Sequence, residues 1–346
     1  MIDCAKDLAR YHDDQVALPV SQRTEMRERR NINRKRLKVG LAAAGKPQPY
    51  LIASQGSYAM KTMVQSTVAD IDIDDGVYFE AAQLVGTQGA AVSALQVRQM
   101  LASALADRSS NFNKQPEVRD NCARVFYADG YHIDMPGYRR ESPAGLLTVE
   151  RLELASLDWK PADARAVTDW FEGEVKRLSP SDDDDQLRRV VRLLKKFVRN
   201  RPSWKGLVAS GFCITKLVTE RFSPSSARDD LALRHTASAI YRRLLDSTVV
   251  RHPIVAENIT TGNPDPKTTY LRDRLAENLR HLEVLDSSTC SCPDARKAWD
   301  KFFATDWFSN LPDDSGSKGP SGSGGPYITV GGTPPAVEKK GGHGYA

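Results

Sequence analysis

A short aspartate-rich segment, ADIDIDDGVYF, is the part of this sequence best suited to chemistry. Its carboxylates alternate with apolar residues, a pattern that predicts a β-strand. Side chains alternate between the faces of a strand, so Asp70, Asp72 and Asp74 are expected on one face. Like charges this close repel, and Asp is a poor strand former. Bound divalent cations would offset the repulsion; a solvated strand face or a calcium site are the plainer alternatives.

A third carboxylate, Asp134, lies in the segment YHIDMP. On a strand it points away from the face of Ile133 and Met135, and Pro136 ends the hydrogen bonding of the strand. Taken alone, Asp134 is more simply a surface residue. Mg²⁺ prefers hard oxygen ligands, and two such ions can promote displacement at a phosphate by a hydroxyl. A third carboxylate on a neighbouring strand would complete the ligands for that reaction.

The segment QGSYAMKT precedes the acidic strand and is a candidate phosphate-binding turn. Gly56 lets the backbone approach a ligand closely, and Ser57 can begin the following helix. Exposed N–H groups at a helix N-terminus, together with a hydroxyl, favour a triphosphate there. A Gly-Ser pair alone carries little information. Followed by a strand with paired carboxylates, it is a specific signal, and Gln55 to Ser57 become candidate nucleotide contacts.

Composition narrows the class of protein. No apolar run approaches the roughly 20 residues that span a bilayer, and the N-terminus lacks an apolar signal core, so a cytosolic protein without membrane contact is expected. The cysteines form no CxxC pair, which indicates neither a disulfide framework nor a zinc site. The net charge is +5, and the segment from Arg23 to Lys38 is densely basic. A solvated helix with internal pairs such as Glu25 with Arg29 is favoured there over nucleic-acid binding.

Local patterns predict the elements around these motifs. The first half contains a helix over 21–44 with Ser21 as its N-cap, a strand pair around 72–80 with a turn or bulge at Asp75-Gly76, a helix over 91–107 and a hairpin around 128–130. We therefore predict three parts: a strand-containing core with an N-terminal helix over 1–160, a helical domain over 161–311, and a Gly/Pro/Ser-rich disordered tail over 312–346.

The combination of a Gly-Ser turn, an Asp-x-Asp strand and a third strand carboxylate resembles the DNA polymerase β-like nucleotidyltransferase superfamily. More closely, QGSYAMKTMVQ, DIDIDDGVYF and HIDMP are similar to the bacterial cGAS/DncV-like nucleotidyltransferases, which make cyclic oligonucleotide signals in antiphage defence. The resemblance implies an α+β fold. In it, a mixed sheet flanked by helices is followed by a helical domain of the oligoadenylate synthase and poly(A) polymerase kind, with two lobes around a central active-site cleft.

The resemblance also assigns catalytic carboxylates. Asp72 and Asp74 would be the paired ligands, and Asp134 the third, of two Mg²⁺ ions for which Mn²⁺ can substitute. A shifted register would make the pair Asp70 and Asp72.

Further nucleotide contacts follow from the same resemblance. In VVRLLKKFVRNRPSW, Lys195 would reach the triphosphate, with Lys196 as the neighbouring alternative. Ser210, in VASGFCITKLVTE, would contact a phosphate or a base at a helix start. Arg124 is a candidate contact to a nucleotide base, although an arginine at that position of a strand can equally be structural.

The implied reaction joins nucleoside triphosphates, ATP and GTP by default, into a cyclic di- or trinucleotide that a downstream effector reads. No zinc insertion of the kind found in animal DNA sensors is present, and no nucleic-acid template is expected. The alternatives are a template-independent nucleotidyltransferase acting on RNA or a small molecule, and a non-enzymatic metal-binding protein. The resemblance places the protein in the bacterial cytoplasm.

The C-terminus KKGGHGYA suggests a second role. Its glycines are thin enough to enter a narrow active site. In one group of these defence systems, an E1/E2-like enzyme conjugates the nucleotidyltransferase C-terminus to targets and a protease reverses the reaction. By that resemblance the carboxylate of Ala346 would be the reacting group; an inert terminus is the alternative.

Overall fold

The computed structural model describes residues 2–65, 71–86, 89–106, 114–127, 130–141, 151–183 and 185–312. One compact unit spans Met1–Asn310. Within the described ranges, no helix combines the length and the apolar character needed to cross a membrane.

A single mixed sheet contains the eight strands found in the described residues. They are β1 (Leu51–Gln55), β2 (Ile71–Glu80), β3 (Glu117–Val118), β4 (Ala123–Phe126), β5 (Tyr131–Met135), β6 (Gly137–Glu141), β7 (Arg151–Ala155) and β8 (Trp159–Pro161). The predicted hairpin is confirmed, because β4 and β5 pair antiparallel on either side of residues 127–130.

Strand β2 lies at the centre of this sheet. Its residue Asp74 pairs with Gln55 of β1 on one edge and with Asp134 of β5 on the other. Strand β6 continues the line of β5 beyond Pro136, where the carbonyl accepts a hydrogen bond from the N–H of Val77. The predicted strand pair with a turn or bulge at Asp75-Gly76 is therefore wrong: residues 71–80 form one continuous strand, paired along both edges in unbroken register.

Helices cover the sheet and make up the second half of the unit. They are α1 (Ala5–Tyr11), α2 (Val20–Ala43), α3 (Gly56–Ala59), α4 (Ala94–Leu105), α5 (Ala164–Leu178), α6 (Gln186–Arg199), α7 (Gly211–Arg221), α8 (Asp229–Asp246), α9 (Pro266–Leu279) and α10 (Cys292–Phe303). A π-helical turn, His12–Val16, follows α1. The predicted α+β class, a mixed sheet flanked by helices and followed by a helical region, is confirmed.

The two long helices predicted in the first half exist with shifted ends. Helix α2 begins at Val20 after Pro19, so the predicted N-cap Ser21 is wrong. The fixed extended conformation of proline ends the preceding segment one residue earlier and places Ser21 inside the first turn. Helix α4 is shorter than predicted because Ser93 and Gln96 form a capping box that sets its start at Ala94.

Among the described residues, buried hydrophobic side chains form two large cores and a small cluster of Tyr78, Tyr138 and Leu152. In the first, α2 and α4 pack on one face of the sheet, with Met26, Leu37 and Leu101 buried there. The second lies among helices α5 to α10 and includes residues of α1, such as Tyr11, which contacts Phe303 and Phe308 with ring centroids 4.7 Å apart in each pair. Helix α1 therefore packs in the helical core, whereas α2 packs on the sheet. The domain boundaries stated from the sequence remain a prediction.

An ion pair explains why an acidic residue, Asp75, stands in the middle of β2 on the side of the core. Its side chain is fully buried, and Arg34 of α2 donates to its two oxygens at 2.6 and 2.5 Å. Ser54 adds a hydrogen bond at 3.0 Å. The ion pair raises the pKa of Arg34. This pair fixes α2 against the sheet, so the carboxylate beside Asp74 serves the fold and faces away from the site.

Replacing Arg34 by Met should lower the free energy of unfolding by about 3 kcal/mol, because it leaves a buried carboxylate without its partner. The double variant Arg34→Met/Asp75→Asn should recover much of that loss, since no charge is then buried. Arg30→Met is the matched control: Arg30 lies on the same helix and also bonds to Ser54, but pairs with no buried carboxylate. Denaturant unfolding measures all three; equal losses in the single and double variants would contradict this account.

Candidate active site

The cross-strand register places a row of polar residues on one face of the sheet. Gln55 pairs with Asp74, Asp74 with Asp134, Asp134 with Arg124 and Arg124 with Glu117. Directly opposite residues on neighbouring strands share a face and lie about 5 Å apart at Cβ. Asp74 and Asp134, sixty positions apart in the sequence, are thus nearest neighbours.

The remaining carboxylate of the predicted three, Asp72, lies on the same face as Asp74, two residues before it on β2. Its partner across the register is His132 of β5, whose Nδ1 lies 3.2 Å from the Asp72 carboxylate. Phe126 of β4 packs edge-on against the His132 ring at 5.2 Å. The structure therefore brings Asp72, Asp74 and Asp134 together, and it adds a histidine that the sequence reasoning did not select although it stands two residues before Asp134.

Arg124 offsets part of this negative charge. Its guanidinium donates two hydrogen bonds to Asp134, both at 2.7 Å, and approaches Asp72 at 4.0 Å. The pair raises the pKa of Arg124. Arg124 is thus a partner of the carboxylates, and its predicted contact to a nucleotide base remains a prediction. The fork geometry fixes both oxygens of Asp134 in place.

Asp74 bears the largest electrostatic cost. Burial, followed by the negative charges of Asp134 and Asp72, raises its pKa to about 7, against the opposing effect of Arg124. A carboxylate that neighbours two others in a desolvated position is strained when charged. A nearby cation would relieve that strain.

The three carboxylates suit a hard divalent cation by their oxygen donors. Among the described residues, however, no three His, Cys, Asp or Glu side chains already surround a common point at ligand distance. The bidentate pair with Arg124 explains why these carboxylates do not already converge on one point, since it directs both oxygens of Asp134 to the guanidinium. The donor set fits a metal chemically, and the ion pair would have to loosen for Asp134 to act as a ligand.

The Gly-Ser turn lies directly against Asp74. Gly56 has φ +63°, and a Cβ atom there would overlap the Oδ2 atom of Asp74. Only glycine allows the backbone to come this close to the carboxylate with this conformation. The following helix α3 is a single turn of four residues with Ser57 as its second residue. The turn and the carboxylate therefore form one continuous surface.

Two buried tyrosines hold the side chain of Gln55, which is the cross-strand partner of Asp74. It donates to the hydroxyl of Tyr138 at 3.0 Å and accepts from Tyr78 at 3.4 Å. The two tyrosine rings stack at 4.6 Å. Gln55 was predicted as a nucleotide contact; the structure shows that it also orients the end of β1, from which the Gly-Ser turn departs.

Helix α6 ties the segment after this turn to the helical half. Its basic side chains donate to five of the six backbone carbonyls of residues 60–65, which we call the tethered loop. The bonds run from Arg188 to Met60 (3.0 Å), Arg192 to Lys61 (2.8 Å), Lys195 to Thr62 (3.2 Å), Arg199 to Val64 (3.5 Å) and Lys196 to Gln65 (3.3 Å). Charged donors bind carbonyls more strongly than neutral ones. The loop is held by one face of one helix.

Lys195 and Lys196 are distinguished by their surroundings. The ammonium of Lys195 also donates to the hydroxyl of Thr62 at 2.8 Å and lies beside Gly211 of α7, at the wall of a cavity. Burial and the charges of Arg199 and Arg192 lower its pKa to about 7. Lys196 does not line the cavity. A desolvated ammonium at a cavity wall suits an anionic ligand, although the contact of Lys195 with a triphosphate remains a prediction.

A cavity of about 1080 Å³ contains most of the predicted site. Its lining includes seven predicted residues: Gln55, Gly56, Ser57, Asp72, Asp74, Lys195 and Ser210. Ser210 is the N-cap of α7 and accepts the N–H of Cys213 at 3.2 Å, as expected for a helix start. Asp134 and Arg124 stand behind this lining, in the sheet. Asp70 and Ala346 lie outside the described residues.

The lining also contains residues that the sequence reasoning missed. They are basic side chains of the second half, Arg199, Arg201 and Lys205, and a group formed by Phe212, His252, Glu257 and Lys160. Arg199, Arg201 and Phe212 could have been found, because they stand close to Lys195 and Ser210 in the two segments already selected. Lys160, Lys205, His252 and Glu257 lie in other parts of the chain, and no local pattern marks them.

Comparison with known proteins identifies the class. Residues 51–138 match the family model described as "Cyclic GMP-AMP synthase DncV-like, nucleotidyltransferase domain". This segment contains the Gly-Ser turn and all three carboxylates. Residues 51–138 therefore have the pattern of a DncV-like nucleotidyltransferase domain.

Solved structures extend the similarity over most of the chain. A mutant of the Vibrio cholerae di-nucleotide cyclase DncV superposes with a TM-score of 0.68 at 14% identity, over 87% of this chain and 95% of that one. DncV with a linear intermediate, 5′ pppA(3′,5′)pG, gives 0.63 at 15% identity, over 84% and 91%. CdnC from Escherichia coli MS115-1 with ATP gives 0.61 at 18% identity, over 88% and 98%. The protein shares their fold, helical region included.

Replacing Asp74 by Asn should raise the free energy of unfolding in a chelating buffer by about 1–2 kcal/mol, because a desolvated charge next to two others is removed. Added Mg²⁺ should stabilise the wild type by mass action and the variant much less. Thermal melts with EDTA and with MgCl₂ measure both effects.

Asp75→Asn is the matched control, one residue along the same strand. It should lower stability in both buffers, because it breaks the pair with Arg34. An Asp74→Asn protein that is less stable than the wild type in EDTA, or that gains as much from Mg²⁺, would contradict the assignment of Asp74 to a cation site.

Proposed function

We propose that this protein is a cyclic oligonucleotide synthase. It joins ATP and GTP into a cyclic di- or trinucleotide second messenger and releases pyrophosphate. The observation that carries the proposal is the row of carboxylates beside the Gly-Ser turn, of which Asp72 and Asp74 line a large cavity. Its support from relatives is the similarity to DncV, described as a cyclic AMP-GMP synthase, over 87% of this chain.

The size of the cavity supports a reaction between two nucleotides. Pockets that hold one drug-sized ligand measure roughly 300–1,000 Å³. At about 1080 Å³ this cavity exceeds that range, which leaves room for a donor and an acceptor nucleotide together. Structures of DncV with a 3′-deoxy ATP and with a nonhydrolyzable GTP support both nucleotides as substrates.

The chain's own residues would position the donor triphosphate. Gly56, Ser57, Lys195 and Ser210 all line the cavity, and the groups that would meet the phosphates are the Gly56 backbone, the two serine hydroxyls and the Lys195 ammonium. These groups bind and neutralise phosphate oxygens. Fixing two nucleotides in line converts their reaction into an effectively unimolecular step.

Asp72, Asp74 and Asp134 would hold the divalent cations, Mg²⁺ in the first instance and Mn²⁺ as a substitute. When bound, such ions lower the pKa of a hydroxyl and neutralise charge on the phosphates. In the proposed reaction, a ribose hydroxyl of one nucleotide attacks the α-phosphorus of the other and pyrophosphate leaves. A second transfer within the linear product closes the ring.

The setting we propose is antiviral defence, in which the cyclic product activates a downstream effector. The C-terminal residues KKGGHGYA support a further partner by their composition. An E1/E2-like enzyme would join the carboxylate of Ala346 to targets, and a protease would cleave the bond again.

Incubating the purified protein with all four nucleoside triphosphates and Mg²⁺, followed by phosphatase and mass spectrometry, should reveal a cyclic product that contains adenine and guanine. The Asp72→Asn/Asp74→Asn variant should lose at least a factor of about 100 in rate, because both carboxylates that reach the cavity lose their charge. Asp273→Asn, an exposed position on α9, serves as the control and should retain the activity. Exclusively linear products would instead indicate a nucleotide-tailing enzyme.

Triphosphate binding should take up close to one proton per site at pH 8, because a bound anion restores the charge of Lys195, whose pKa is lowered to about 7. Titration calorimetry in two buffers of different ionisation enthalpy measures this uptake. Lys195→Met should abolish it. Lys196→Met, which removes the neighbouring lysine outside the cavity lining, should retain it.

The lowered pKa of Lys195 also predicts how the free energy of unfolding changes with pH. The unfolded chain binds a proton at Lys195 up to its ordinary pKa of 10.5, whereas the folded chain releases it near 7. Stability should therefore rise between pH 7 and 9 in the wild type relative to Lys195→Met. Parallel curves for the two proteins would show that Lys195 keeps an ordinary pKa.

A further inference from the structure

A small hairpin over residues 250–259 forms one wall of the cavity. Arg251 and Asn258 make a β-bridge, and the N–H of His252 donates to the carbonyl of Glu257 at 2.9 Å. His252 and Glu257 are thus side by side across the hairpin, and both line the cavity. Neither is among the residues used above, and the hairpin lies far in sequence from the carboxylates.

The tautomer of His252 is set by the hairpin. Its Nδ1 accepts the backbone N–H groups of Ile254 at 3.2 Å and Val255 at 3.1 Å. A nitrogen that accepts two hydrogen bonds carries no proton, so the proton of the neutral ring is on Nε2. His252 therefore presents one N–H donor, and no hydrogen bond of Nε2 to another described residue occupies it.

Glu257 supplies an acceptor next to this donor. Its carboxylate pairs with Lys160 of β8 at 2.9 Å, and both side chains are about half exposed, at 48% and 53%. An exposed pair of this kind contributes little to stability, so the carboxylate can exchange its partner for a ligand at small cost. The hairpin thus offers a fixed N–H donor beside a two-oxygen acceptor.

An aromatic ring connects this wall to the phosphate side of the cavity. Phe212, the second residue of α7, contacts the His252 ring at 5.4 Å between centroids. Its neighbour Gly211 lies against the Lys195 side chain. A nucleotide with its phosphates at Lys195 would therefore meet an aromatic surface and then the donor and acceptor of the hairpin. Aromatic rings stack on any base, whereas hydrogen bonds at the base edge select among bases.

We propose that the 250–259 hairpin recognises guanine: His252 Nε2–H donates to O6, and the Glu257 carboxylate accepts from N1–H and the N2 amino group. Guanine presents an acceptor followed by two adjacent donors along one edge, which matches one N–H beside two carboxylate oxygens. Adenine offers the carboxylate a single amino group. This inference rests on the proposed function, because it names a nucleotide that the same cavity takes.

Guanine recognition by the hairpin can be tested by calorimetry. The affinities of the full-length protein for α,β-methylene analogues of GTP, ITP and ATP are measured, and these analogues exclude turnover. The wild type should bind the guanine analogue most tightly, and the inosine analogue, which lacks the N2 amino group, about tenfold less tightly. Glu257→Gln should weaken guanine binding by about tenfold to a hundredfold and leave adenine binding unchanged. His252→Asn should likewise weaken guanine binding and leave adenine binding unchanged. The Asn oxygen can still accept the two backbone N–H groups, so only the Nε2 donor is lost.

Lys160→Met is the matched control, since it removes the ion pair and leaves the acceptor. Guanine affinity should stay the same or increase. Equal losses in Lys160→Met and Glu257→Gln, preference of the wild type for the adenine analogue, or binding of neither analogue would overturn the inference.

Product analysis of the same variants separates this inference from the proposed function. Guanine binding that depends on Glu257 in a protein without cyclic product would refute only the synthase function. A cyclic product whose guanine content is the same in Glu257→Gln and in the wild type would refute only the role of the hairpin.

Discussion

Repulsion among three carboxylates on one face of the sheet is the constraint to which the surrounding structure responds. Asp74 faces Asp134 across the register and has Asp72 on the same face, and burial together with these two charges raises its pKa. Arg124 compensates part of the charge within the sheet. A folded protein rarely keeps such an arrangement for stability, because uncharged residues would pack there at less cost. Perturbed carboxylates at a cavity are instead typical of a site that binds a cation or does chemistry.

The cavity depends on a second interaction, between helix α6 and the tethered loop. Carbonyls that would otherwise need water accept hydrogen bonds from basic side chains of one helix face, from Arg188 to Arg199. This binds the end of the Gly-Ser turn to the helical half, so that Lys195 and Ser57 line the same space. The same basic residues that look like a charged surface in the sequence therefore assemble the two sides of the site.

Prediction from the sequence succeeded where the signal is local. The Gly-Ser turn and the hairpin before Asp134 each depend on a few adjacent residues. The helix start at Ser210, which the structure confirms, followed from the family resemblance. Local prediction failed at Asp75, which was expected at a turn or bulge and is found in the middle of a continuous strand. The reason is Arg34, some forty residues away, whose guanidinium makes a buried carboxylate acceptable on the core side of that strand. Pairing between distant residues overrides local preference.

The sequence by itself determined that Asp72 and Asp74 share one face, because side chains alternate along a strand, and it marked Asp134 as a third carboxylate on another strand. Only the tertiary structure decided how these groups are balanced. The pairing of Arg124 with Asp134, the burial that lowers the pKa of Lys195, and the placement of His252 beside Glu257 all join parts of the chain with no common local pattern. Hydrogen bonds and desolvation depend on which groups meet in space, and the packing of the folded chain determines that.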